Sequence, residues 1–98
     1  MGSGVSRTVT GAVYGTGAAL PVRTVGFRPR RVVLFNSSGI VDGVWQDSMP
    51  DDSMKKVTGG VTSYATSNGV TPLSDGFSIG ADADMNVADE LIHWAAHE

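Results

Sequence analysis

Gly26-Phe27-Arg28-Pro29-Arg30-Arg31-Val32-Val33-Leu34-Phe35-Asn36 is the stretch that decides the fold. A Gly-Phe step passes through a proline into four consecutive apolar residues, and Asn36-Ser37-Ser38-Gly39 then turns the chain. The apolar run is too short for a helix, rich in β-branched residues and bounded by turn formers. Residues 32–35 therefore read as a central strand, apolar on both faces. Pro29 withholds a ladder donor and presets φ, so residues 26–29 read as the turn that precedes it. A related pattern recurs at Gly76-Phe77-Ser78-Ile79-Gly80, and a third apolar run, Leu91-Ile92-His93-Trp94-Ala95, follows near the C-terminus.

Outward from these runs the same punctuation holds. Residues 20–25 alternate, with Leu20, Val22 and Thr24 on one face and Arg23 and Val25 on the other. Residues 40–46 form the returning strand, with Trp45 near its end, and residues 54–58, 61–66 and 70–73 read as further strands. Asn68-Gly69 suits a type I′ hairpin between the last two. Residues 81–91 are polar, and Asp82 or Asp84 can cap a single helical turn there. Turn signals about every ten residues fit sandwiches and small barrels. The expected fold class is all-β, a small antiparallel β-sandwich or barrel with a Gly-rich N-terminal arm. Residues 1–18 form the arm or an edge strand, because Gly11, Gly15 and Gly17 interrupt their β character; residues 19–98 form the body. Met1-Gly2-Ser3-Gly4 is either a flexible start or a cloning remnant and adds nothing to the fold.

The chain has 98 residues, the size of one domain, and 41% of them are hydrophobic, enough for a core. Only 17% are charged, against a usual ~25%, and so sparse a surface charge suits a subunit packed against neighbours. The net charge of −3 argues against a general nucleic-acid binder. No stretch has the ~18 apolar residues of a helical membrane span, and the N-terminus lacks a charged-then-apolar signal pattern. Cys 0 excludes disulfides and cysteine-ligated metals. Arg28, Arg30 and Arg31 cluster away from Asp47, Asp51 and Asp52, a split that can orient like subunits or dock on a charged platform.

Chemical motifs are weak. Asp82-Ala83-Asp84-Met85-Asn86 opens like a calcium loop, but Val87 and His93 stand where an EF-hand needs glycine and a bidentate glutamate. A polar turn is the better reading, since Asp and Asn bond their own backbone. His93 and His97 share a strand face but lie ~13 Å apart, too far to ligate together. No nucleophile elbow, P-loop or H-E-x-x-H is present. The expectation is no enzyme, no cofactor and no metal. Trp45, Tyr64, Phe77 and Trp94 form either a core or a sugar-stacking platform, with core favoured for at least three of them.

Gly26-Phe27-Arg28-Pro29-Arg30-Arg31-Val32 with Val44-Trp45, and the run from Thr71-Pro72-Leu73 through Asp82-Ala83-Asp84 to His93-Trp94-Ala95-Ala96, resemble a family of small tailed-bacteriophage virion proteins. The resemblance spans most of residues 10–96. It implies a β-rich accessory subunit of the phage head, assembled in the host cytoplasm, that decorates or cements the capsid shell. The implied partners are the major capsid protein and further copies of the chain, as a dimer or trimer, without nucleic acid or membrane. Such contacts are expected from Val5, Val9 and Val13 of the arm and from Arg28, Arg30 and Arg31 at the corner. The alternative is a carbohydrate-binding tail-tip module with the architecture of H-type lectins. It expects an exposed Trp45 beside Asp47 as the ligand contact.

Overall fold

The computed structural model describes residues 7–98. Eight strands run in chain order: β1 (Thr8–Tyr14), β2 (Leu20–Val22), β3 (Arg31–Asn36), β4 (Val41–Gln46), β5 (Ser53–Thr58), β6 (Val61–Leu73), β7 (Gly76–Ile79) and β8 (Leu91–His97). They form one sheet in the order β1-β8-β3-β4-β5-β6-β7-β2. Every neighbouring pair is antiparallel. The fold is all-β, a single antiparallel sheet curled into a half-barrel.

Chain length makes the curl obligatory. β1 and β2 lie at opposite edges of the sheet yet are joined only by residues 15–19. Six Cα–Cα steps from Tyr14 to Leu20 reach at most roughly 22 Å. In a flat sheet, seven strand spacings would separate those edges by roughly 34 Å. The sheet must bend until its edges approach. Phe77 on β7 then meets Trp94 on β8 edge-to-face at 5.4 Å, although the two strands are far apart in sheet order.

Alternation along the strands fills the hollow. Val32 and Leu34 of β3, Val41 and Trp45 of β4, Phe77 and Ile79 of β7, and Ile92 and Trp94 of β8 all point inward and are buried. Each such side chain contributes about 1.5–3 kcal/mol by leaving water. The connection from β7 to β8 crosses the hollow and lowers Met85 into the core. Gly43 makes room for it: a Cβ there would meet Met54 Sδ and lie 3.0 Å from Met85 Cε.

Two buried asparagines fasten that crossing loop. Asn86 Oδ1 accepts from the Thr16 and Gly17 amides, and its Nδ2 donates to the Ala18 and Gly80 carbonyls. Asn36 Nδ2 donates to the Met85 carbonyl and Glu90 Oε1, while its Oδ1 accepts from the Ser38 and Gly39 amides. Asn86 thus joins the loop to the short β1–β2 link, the segment that imposes the curl.

Several expectations change. The strand expected over 20–25 stops at Val22, after which Arg23 turns out to bond Asp75. Asn68-Gly69 is not a hairpin. β6 runs on through it, and the pairing with β5 jumps from Met54↔Ala65 to Ser53↔Val70, leaving residues 66–69 as a bulge. Asn68 does adopt the positive φ of 60° that its turn signal foretells, but in the service of that bulge. The single turn expected at Asp82 does form: Asn86 N–H donates to the Asp82 carbonyl at 2.9 Å and Asp82 Oδ2 accepts from the Asp84 and Met85 amides as a cap, and no helix follows it. Of the region read as arm or edge strand, residues 8–14 are the edge strand β1; Val5 lies outside the described residues.

Asn86→Ala should lower unfolding free energy by about 2–3 kcal/mol in urea denaturation, because it removes at once the part-buried bonds that the buried Asn86 makes to four backbone groups. Ile40, a β-branched residue at φ 54° on the exposed β3–β4 turn, costs stability by its own conformation. Ile40→Gly should raise stability by about 1 kcal/mol, read as a higher Tm in calorimetry.

Candidate contact surface

The face opposite the core follows from the strand registers. One cross-strand row reads Thr10, Ala95, Val33, Val44, Lys55, Tyr64. The adjacent row reads Ala12, His93, Phe35, Asp42, Val57, Thr62. Alternation that sends Val32, Leu34 and Trp45 inward turns Val33, Phe35 and Val44 out, where they remain half-buried. Two shallow depressions lie on this face. One of about 190 Å³ lies over Val33, Phe35, His93 and Ala95, where the Phe35 and His93 rings stack at 6.2 Å. The other, about 490 Å³, is lined by Met49, Lys55, Thr62, Ser63 and Tyr64. Tyr64 is 54% exposed at its rim.

Charge is distributed around this band. Arg31 stands between Gln46 and His97 at one end, and Asp42 beside Phe35 at the other. Most other charges pair locally: Arg7 grips Glu98 through two bonds of 2.8 and 2.7 Å, Arg23 holds Asp75, and Arg28 holds Asp47 at 3.0 Å. These exposed pairs contribute little to stability. The Arg7–Glu98 contact raises the Arg7 pKa and lowers that of Glu98, chiefly through their side-chain hydrogen bonds.

One charged cluster is shielded. Lys56 points to the inner side of β5, opposite Gly43, and its side chain is 14% exposed. Its ammonium donates to both Asp82 oxygens at 3.0 and 3.2 Å and to Asp84 Oδ2 at 2.8 Å. The carboxylates of the calcium-like motif thus hold an ammonium, and the motif is a turn clamp. Burial opposes the Lys56 charge, but hydrogen bonds to Asp84 and Asp82 and the attraction of their carboxylates outweigh it, and its pKa is raised.

The expected contact residues are not all gathered on one surface. Val9 and Val13 turn inward and pack against the core. Arg28, Arg30 and Arg31 are exposed around the β3 entrance, and Arg28 is tied to Asp47. Trp45 is fully buried, its indole N–H donating to the Pro50 carbonyl at 3.1 Å, so the exposed Trp45 expected beside Asp47 is replaced by a core tryptophan. The outward Val33–Val44 band escaped the sequence reading because residues 32–35 look apolar on both faces. The signal was Asp42 and Gln46 alternating with Val44 on the next strand, which marks that face as open to water. Comparison with protein-family models, curated proteins and solved structures gives no significant match.

Removing Lys56 leaves the 8% exposed Asp82 without its counter-charge. Lys56→Met should cost about 3 kcal/mol in urea denaturation, whereas Arg23→Ala at an exposed pair should cost at most about 1 kcal/mol. The raised Lys56 pKa also sets a pH dependence. Its contribution is fully present below the unfolded-chain value of about 10.4 and is lost as pH rises through the higher folded value. Alkaline melting of the native chain should therefore show a fall in Tm above that pH that Lys56→Met lacks.

Proposed function

We propose that the chain is a structural subunit of a tailed-phage head that decorates or cements the capsid shell. The observation that carries this reading is the outward band: Ala95, Val33 and Val44 lie half-buried on the outer face of a β body whose hollow is already filled by its own side chains. A filled hollow directs recognition to the outside, and an apolar band bordered by Arg31, Lys55 and Asp42 is suited to a protein partner. The resemblance of residues 10–96 to small virion proteins supports the same reading, with the major capsid protein as the partner. Repetition over a lattice would let weak single contacts add.

The test is co-sedimentation with shells assembled from the major capsid protein of the particle. The native chain should pellet saturably with the shells. A Val33→Asp, Val44→Asp double variant with native circular dichroism should stay in the supernatant. A native chain that does not pellet overturns the proposal.

A second reading is supported by Tyr64 and its 490 Å³ depression, where Thr62 and Lys55 lie beside an exposed ring. This is the composition of a sugar-stacking site, and it transfers the carbohydrate-binding alternative from Trp45 to Tyr64. A glycan array should then show saturable binding that Tyr64→Ala abolishes; an array without binding removes this reading.

A further inference from the structure

The two edges of the sheet are built differently. β2 is three residues long and carries Pro21, which has no N–H to offer a further strand. β1 is seven residues long, Thr8-Val9-Thr10-Gly11-Ala12-Val13-Tyr14, with neither proline nor charge. Proteins commonly blunt free edges with such residues, and this edge has none of them.

The direction of its free backbone groups follows from the ladder. Glu98 N donates to Arg7 O, and Gly15 N donates to Glu90 O. Odd-numbered residues of β1 therefore exchange bonds with β8, and antiparallel alternation sends the N–H and C=O groups of Thr8, Thr10, Ala12 and Tyr14 the other way. Among the described residues no strand lies on that side.

We propose that this edge pairs with the same edge of a second copy of the chain, antiparallel about a two-fold axis through Gly11. The strand is self-complementary about that residue. Thr10 falls opposite the partner's Ala12, Val9 opposite the partner's Val13, and Thr8 opposite the partner's Tyr14. All four outward residues then lie in hydrogen-bonded pairs, about eight backbone bonds in total. Val9 and Val13, half-buried on the concave side, meet across the junction, and Tyr14, 65% exposed, gains the partner's Thr8 as a neighbour. A closed two-fold contact needs such self-matching, and the absence of charge in β1 removes like-charge repulsion across the axis. The pairing is independent of shell binding.

The chain has Cys 0, so introduced cysteines report cleanly. Sedimentation equilibrium of the native chain should give a dimer. Under mild oxidation a mixture of Thr10→Cys and Ala12→Cys chains should join as a disulfide-linked heterodimer, since directly opposed residues lie within disulfide reach, and neither variant should join alone. Ala12→Pro removes an outward N–H without touching the ladder to β8 and should weaken the dimer about tenfold. A monomer at every concentration overturns the pairing. So does a dimer in which the mixed cysteines stay apart or one variant joins to itself. If Ala12→Pro does not fold, the cysteine mixture decides. Saturable shell binding by a monomer would retain the proposed function while removing this interface.

Discussion

Five residues between opposite edges of an eight-stranded sheet impose the shape of this protein. The link at residues 15–19 is too short for a flat sheet, so the sheet curls and creates a hollow. Inward alternation supplies most of the filling, and the Phe77–Trp94 contact closes it between strands that do not pair. Closure remains partial because the link joins the edges at one end only and β1 never bonds β2. The hollow therefore needs a cover, and the β7–β8 loop provides it.

That cover brings few apolar side chains of its own. Met85 is its main buried hydrophobic, and polar groups secure the rest. Asn86 ties it to the curling link, Asn36 to the β3–β4 hairpin and Asp82 to Lys56 on β5. The balance matters energetically. Satisfied buried amides contribute modestly, but their loss exposes the full desolvation cost of the groups they served. The ion pair is of the same kind, since two shielded charges are tolerable only while both are present. The polar clamps thus specify where the loop sits, and apolar burial supplies the driving force.

The legible parts of the sequence were those governed by local chemistry. Alternation in β3 and β4 and the run in β8 marked strands, because a buried face imposes a period of two. Trp45, Phe77 and Trp94 proved to be core, in keeping with the size of their buried rings, and Tyr64 stayed outside. Asn68-Gly69 misled because positive φ serves a bulge as well as a hairpin, and only the partner strand decides between them. The Lys56 clamp was hidden for a similar reason. Lys55 and Lys56 look equivalent in sequence, yet alternation sends one to solvent and the other to Asp82, residues that meet only after the sheet has curled. The outward apolar band required knowledge that the sheet has a single layer, which composition does not reveal.

The two candidate surfaces do not overlap. A two-fold axis at the β1 edge stands perpendicular to the sheet, so it keeps the same face upward in both copies. The curl then turns the Val33–Val44 bands of the two chains away from the axis, onto opposite flanks of the pair. The band reaches β8 at Ala95, next to β1, but lies on the outer face and not on the edge, so the pairing leaves it uncovered. For a subunit that binds a repeating lattice, linking two weak contacts raises the effective concentration of the second only where partners stand on both flanks of the pair. Lattice and glycan binding would differ in which part of the outer face they engage, the Val33–Val44 band or the Tyr64 depression.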